Sequence, residues 1–158
     1  MTVITVNSSK GRLDQGQRRK LAETLTDAVL VPEVGQFAPA ARIGFQVHFV
    51  EREPDMMAIG GRLLADIGQE LDVMLVDVAV MDGDWRPEVR AEVIERLLVA
   101  LADACGLPAP SPAWWVNFRV IDEGSWGSSG GVASILALLA SGVFTEEKAK
   151  MIRAAIGA

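Results

Sequence analysis

The hydrophobic positions of this chain switch between a period of two and a helical period, and each switch marks an element. Met1-Thr-Val-Ile-Thr-Val6 is a β-branched run that predicts a strand. Asn7 to Asp14 is rich in turn residues, and Asp14 suits a helix N-cap. Leu21, Leu25, Ala28 and Val29 then fall on one helical face, with Arg18, Arg19, Lys20 and Glu23 on the solvated side. Pro32 to Pro39 is expected to break the helix and form a loop. From Arg42 to Glu51 the chain alternates again. Phe45, Val47 and Phe49 point one way, Gln46 and His48 the other. Strand, helix and strand joined by so long a crossover predict a parallel, right-handed βαβ unit.

The second half repeats this order. Leu63 to Leu71 reads as a short connection and Val73 to Val80 as an apolar strand. Gly83 makes a turn, and Pro87 suits the first turn of a helix. Val89, Val93, Ile94, Leu97, Leu98 and Leu101 form its apolar stripe, and Gly106 with Pro108, Pro110 and Pro112 ends it. Trp114 to Ile121 is the last long strand, running into a tight Trp126-Gly127 turn and then Gly130-Gly131. The stretch Trp115–Gly131 matches Phe45–Gly61 seventy positions earlier: Phe45 with Trp115, Glu53 with Glu123, Gly60-Gly61 with Gly130-Gly131. With a slip of two, Leu21, Leu25 and Val29 match Val93, Leu97 and Leu101. The expectation is a single domain over 1–158, built as an internal repeat of 2–67 and 73–136. A C-terminal extension, 137–158, completes it. The fold class is α/β (α+β): two tandem βαβ units forming a four-stranded mixed sheet with two helices on one face. The other sheet face is left bare; a sheet apolar on both faces needs a second cover, and a ring of subunits is the expected one. Apolar Val132–Val143 is expected to pack on a neighbour. A short helix capped by Thr145, with Glu146 and Glu147 in its first turn, should follow to Ile156.

Composition narrows the function. Half of the residues are hydrophobic, ample for a core and in excess of the usual share, which points to surface buried between subunits. A net charge of −6 without a Lys/Arg run speaks against nucleic acid and anionic membranes as partners. One cysteine, Cys105, allows no internal disulfide and fits a reducing, cytoplasmic setting. No stretch has the length of a membrane span or the pattern of a signal peptide. His48 is the only histidine, so neither a histidine-based triad nor a histidine-rich metal site is expected, and the acidic residues Asp72, Asp77, Asp82 and Asp84 have no ligand spacing.

Tandem βαβ units, each opening on a turn before the helix and closing on Gly-Gly, resemble the tautomerase superfamily, the group of 4-oxalocrotonate tautomerase. Gly11-Arg12-Leu-Asp14 with the helix after it, and Gln46-Val47 through Met57-Ala58-Ile59-Gly60-Gly61, are similar to one bacterial unit of that family. Trp126-Gly127-Ser-Ser-Gly130-Gly131 is similar with one residue inserted, so the resemblance covers about 2–136. It implies a fused two-unit subunit, a homotrimer, no cofactor, and keto–enol proton transfer on a 2-oxo acid or enol-carboxylate. The family's N-terminal proline is absent, and Thr2 stands at its position. If Met1 is removed, Thr2 supplies a primary amine, which titrates at about 7.7–8.0 when unperturbed and could act as base. Arg12 matches the turn arginine; the arginine of the later strand falls at Gln46 here and at Trp115 in the second copy.

The expected catalytic set is therefore Thr2, Arg12 and Arg86, with Arg86 also suited to pairing with Asp82 or Asp84 beside a helix start. The expected substrate-binding set is Gln46, Trp115, Asn117, Arg119 and Trp126. Alternation puts Trp115, Asn117 and Arg119 on one strand face, a polar wall for a small carboxylate-bearing substrate. Two alternatives stay open: a catalytically silent binding or assembly protein on the same fold, and a decarboxylase or hydratase/dehalogenase of a short unsaturated or oxo acid.

Overall fold

The computed structural model describes residues 1–68 and 71–157. Its centre is a mixed four-stranded sheet whose strands lie side by side in the order Phe45–Arg52, Thr2–Ser9, Met74–Met81, Trp114–Ile121. β1 (Thr2–Ser9) and β2 (Phe45–Arg52) are parallel and joined by α1 (Gln15–Val34). β5 (Met74–Met81) and β6 (Trp114–Ile121) are parallel and joined by α3 (Pro87–Cys105). β1 and β5 run antiparallel, Thr5 opposite Asp77, so a pseudo-two-fold axis passes between them. Both helices cover one face. Leu21, Leu25 and Val29 of α1 and Val93, Leu97 and Leu101 of α3 are buried against Ile4, Val6, Val76, Val78 and Val80. This is the expected mixed sheet with helices on one side.

Local chemistry explains the boundaries. Asp14 accepts from the Gln17 amide at 2.7 Å while the Gln17 side chain accepts from the Asp14 amide at 2.8 Å, a reciprocal cap that starts α1. α1 runs through Pro32 to Val34 instead of breaking there. Proline in the last turn removes one backbone donor, and Gly35 closes the helix in the left-handed region, its amide on the Val31 carbonyl. A 3₁₀ turn, Pro39–Gly44, precedes β2, which begins three residues later than its alternation suggested.

Two short hairpins follow the outer strands. β3 (Ala58–Ile59) pairs with β4 (Arg62–Leu63), which leads into one turn of helix, α2 (Leu64–Ile67). β7 (Trp126–Ser128) pairs with β8 (Gly131–Ala133). Trp126-Gly127 therefore lies in a strand, and the turn falls on Ser129-Gly130. Of the connection expected over 63–71, residues 69 and 70 lie outside the described residues.

The repeat is in register, with an offset one residue different from the sequence match. Thr2 pairs with Phe45 and Met74 with Trp114, so Phe45 corresponds to Trp114, and Gln46 to Trp115. The hairpins agree: Ile59↔Arg62 corresponds to Ser128↔Gly131. One residue of slip exchanges the faces of a strand. Trp114 is accordingly in the core, while Trp115 is 60% exposed on the opposite face.

The extension does not await a neighbour to be buried. α4 (Ile135–Leu139) and α5 (Glu146–Ile156) pack back on the same subunit. Ile135, Leu139, Phe144 and Ile152 form a second core with Leu30, Val34 and Met81, and Met1 and Trp126 pack against it. Thr145 caps α5, its side chain accepting from Lys148. The backbone amide of Thr145 donates to the Val34 carbonyl at 2.9 Å, which docks α5 on the end of α1. A Cβ on Gly35 would lie 2.7 Å from Thr145 Oγ1, so this junction admits only glycine on both conformational and steric grounds.

The bare sheet face is mixed, with a polar central row, contrary to the expectation of a sheet apolar on both faces. Across the strands its rows read Gln46–Val3–Ala79–Arg119, His48–Thr5–Asp77–Asn117 and Val50–Asn7–Leu75–Trp115.

Candidate functional site

The bare face and the β7–β8 hairpin enclose a concavity of about 1250 Å³. Met1, Thr2, Gln46, Asn117, Arg119 and Trp126 are among its lining residues, with Arg52 and Asp77 further along the sheet. Five expected site residues, Thr2, Gln46, Asn117, Arg119 and Trp126, are thus brought together. Arg12, Arg86 and Trp115 do not line it.

At the centre, Asp77 is held between two amides. Asn7 Nδ2 donates to it at 3.1 Å and Asn117 Nδ2 at 2.9 Å, while Arg52 Nη2 donates to Asn7 Oδ1 at 3.4 Å. His48 Nε2 lies 3.0 Å from Gln46 Oε1. Arg119 differs from every one of these. Among the described residues, no acid forms an ion pair with it and no acceptor takes its hydrogen bonds. A guanidinium without a counter-ion at the edge of a cavity is a ready anion site.

The other two arginines are already engaged. Arg12 binds Asp72 with both arms, at 2.7 and 2.6 Å, and lies 5.9 Å over the Trp114 ring. Arg86 binds Asp84 at 2.6 and 3.1 Å and also meets Glu88. Asp84 is buried and takes a further bond from Lys148 Nζ at 3.2 Å, which ties α5 to the β5–α3 turn. Burial alone would raise the Asp84 carboxyl. The hydrogen bonds and charges of Arg86 and Lys148 together outweigh it and hold the group below the ordinary carboxylate range.

Thr2 is 1% exposed, and its hydroxyl is buried without a hydrogen-bond partner among the described residues. Its side chain falls on the helix-covered face of β1 with Ile4 and Val6, and the carbonyl of Met1 before it accepts the Met81 amide at 3.0 Å. Behind Met1 sits Glu33, 8% exposed in the last turn of α1 between core residues. Burial pushes its carboxyl up to about 7, and the charge of the N-terminal amine draws it partly back. Glu33 was not among the expected residues. The signal was present, since it follows Leu21, Leu25 and Val29 at the next i+4 position, on the buried stripe. Asn7, Arg52 and Asp77 were missed too; the alternation of β1 and β5 assigns Thr5, Asn7 and Asp77 to the bare face.

Among the described residues no cluster of histidine, cysteine or acidic side chains could hold a metal, and no helix is long and apolar enough to cross a membrane. Cys105 is a free thiol.

No family model matches the sequence, and no curated protein matches it. Solved structures do. A fused 4-OT that forms a symmetric trimer superposes with a TM-score of 0.66 at 22% identity, covering 86% of this chain and 98% of its own. This is the fused tautomerase fold. A member of the cis-3-chloroacrylic acid dehalogenase family superposes with a TM-score of 0.68 at 18% identity, covering 96% and 99% of the two chains. That match takes in nearly the whole chain, extension included. Macrophage migration inhibitory factor from Toxoplasma gondii has the same tautomerase fold, with a TM-score of 0.62 at 13% identity over 83% and 99%. At these identities the likeness fixes the fold.

Proposed function

We propose that the chain is a tautomerase-superfamily enzyme that moves a proton between carbon and oxygen of a 2-oxo acid or its enol, without a cofactor. The unpartnered Arg119 in a concavity beside Thr2 carries this reading. Its guanidinium binds the carboxylate in the ground state and steadies the enolate oxygen as charge develops there. Gln46, at the end of the same row, offers an amide donor, and Trp126 walls the planar substrate. The proton is carried at the N-terminal end of β1, by the α-amine of Thr2 once Met1 is removed. Glu33, titrating near neutrality, acts through that amine, since it does not line the cavity. Arg12 and Arg86 serve the fold in this subunit, and Trp115, Asn117 and the polar face serve the interior of a homotrimer. Exposed Ile43, Trp115, Val132 and Leu136 supply apolar contact area for that assembly. A structure of this fold, 21% identical, is inactivated by 2-oxo-3-pentynoate, itself a 2-oxo acid.

The test is ketonisation of phenylenolpyruvate or a 2-hydroxydienoate, with intact mass to report on Met1. Acceleration over buffer that disappears in Arg119→Ala is the expected result. A rate equal to buffer for both substrates overturns the enzyme reading. Light scattering should give three times 16.9 kDa, about 51 kDa.

A second reading is favoured by the neutralised Arg12 and Arg86 and by the buried Thr2: a binding or assembly protein on the same fold, silent in catalysis. It predicts 2-oxo acid binding with no turnover. Decarboxylation, hydration or dehalogenation of a short acid is the third, supported by the coverage of the dehalogenase-family structure.

A further inference from the structure

The amine at the wall of the concavity is the chain's own N-terminus. Met1 and Thr2 both line it, and among the described residues no lysine does. Lys10 and Lys148 are turned onto Glu53 and Asp84 instead, and Lys20 onto the Asp103 carbonyl. Among the described residues no acid forms an ion pair with the terminal amine. Glu33, whose carboxyl feels the charge of that amine, is itself held toward its neutral form by burial. Thr2 pairs with Val80 on β5, and Arg119 pairs with Ala79 on the other side of the same strand. Two strand spacings therefore separate Thr2 from Arg119, about 10 Å between backbones. An arginine side chain and the carboxylate end of a small acid together bridge that distance.

Resting on the reading of Arg119 as carboxylate anchor and of Thr2 as the N-terminus once Met1 has left, we infer that the Thr2 amine is a nucleophile as well as a base. It condenses with the carbonyl of a 2-oxo acid and holds the acid as an imine. Threonine at this position presents a primary amine, the kind that forms imines with carbonyl substrates. An α-amine also loses its proton at a lower pH than a lysine does, and here no carboxylate is paired with it to keep it charged. C2 of the acid is one bond from the anchored carboxylate, so Arg119 fixes the carbonyl relative to the amine, which favours addition by proximity. The nitrogen lone pair adds to C2, and a proton passes from nitrogen to the former carbonyl oxygen. That hydroxyl takes up a second proton and leaves as water while the lone pair closes the C=N bond. Loss of the iminium proton balances the one taken up, and no electrons are gained or lost. C3–H is more acidic in the protonated imine than in the free ketone. The imine therefore serves the same proton transfer, through an enamine in place of an enol.

The test is reductive trapping on the whole protein after treatment with methionine aminopeptidase, with intact mass showing that Met1 has left. Pyruvate with cyanoborohydride should add one reduced acid per chain, on the N-terminal peptide. Labelling should be roughly tenfold faster or more than with methyl pyruvate, which keeps the 2-oxo group without the charge. Arg119→Ala should bring pyruvate down to the rate of the ester. Pyruvate no faster than its ester in the wild type, or adducts spread over the lysines, overturns the inference. No adduct while ketonisation of phenylenolpyruvate is still accelerated leaves the amine a base only, so the inference fails and the enzyme reading stands. No adduct and no acceleration overturn both. A chain from which Met1 cannot be removed overturns the role of the Thr2 amine in both. The ratio of pyruvate to its ester needs no variant, so the outcome stands even if Arg119→Ala does not fold.

Discussion

The pseudo-two-fold axis between β1 and β5 gives the sheet two equivalent ends, where Thr2 corresponds to Met74 and Arg12 to Asp84. At the Met74 end, Arg12 reaches Asp72 and closes over Trp114. At the Thr2 end the charge at that equivalent position is inverted. Asp84 gathers Arg86 and Lys148, and the sheet cation, Arg119, is left without an acid among the described residues. Val50 stands where Arg119 does in the other half. The two halves share one scaffold, yet the turn arginine is paired with an acid at one end and an acid stands in its place at the other. An arginine's presence in a repeat therefore says little about its role; what matters is whether an acid has been placed opposite it.

The largest expected effect breaks this comparison directly. Arg119→Ala should lower kcat/KM, or 2-oxo acid affinity if turnover is absent, by about 100- to 1000-fold, the usual consequence of losing a charge-stabilising donor. Arg12→Ala should leave the same quantity within roughly threefold, because its guanidinium is spent on Asp72. Equal losses in the two variants would erase the distinction between the ends.

Much of this was legible in the sequence. Period-two strands, helical stripes, the Asp14 and Thr145 caps and Pro87 at a helix start are local signals, and each element lies close to where they place it. The offset between copies was read one residue out because two glycine pairs were matched to each other. Pairing geometry shows that Gly60-Gly61 correspond to Ser129-Gly130. The pairing of Arg86 with Asp84, two residues away, was readable, but the neutralisation of Arg12 was not, since Asp72 is 60 residues from Arg12 in the chain and only the antiparallel β1–β5 pairing brings them together. Polarity of the bare face was readable strand by strand but not as a set of rows, which needs the register.

Glu33 gives the next largest effect, at the Thr2 end alone. An acid whose carboxyl is raised by burial holds its proton in the folded chain while the unfolded chain ionises. Its stabilising contribution is complete below the ordinary value of 4.5, falls as pH rises toward about 7, and is then flat. That window corresponds to up to about 3 kcal/mol. Glu33→Gln, which cannot ionise, should therefore gain stability over the wild type between pH 4 and pH 8 in urea unfolding. Parallel pH profiles for the two proteins would show that Glu33 is not buried as a neutral acid. In the ketonisation assay the variant should also shift the pH–rate profile rather than scale it, the mark of a group acting through the amine.

The smallest effect sharpens the other end. Asp72→Asn keeps the shape of the carboxylate but removes its charge, and both partners are only about a quarter exposed, Arg12 at 25% and Asp72 at 29% for their side chains. Partial solvent contact screens the pair, so the cost should be about 1 kcal/mol, a fall of about 2–4 °C in Tm for a domain of this size. Arg12→Ala should cost somewhat more, since it also removes the stacking over Trp114. A double variant measures the pair itself: if Arg12–Asp72 is a joint, the two losses fall short of additivity by most of the Asp72→Asn effect. Additive losses would mean that Arg12 holds the Met74 end through its packing on Trp114 and not through its charge.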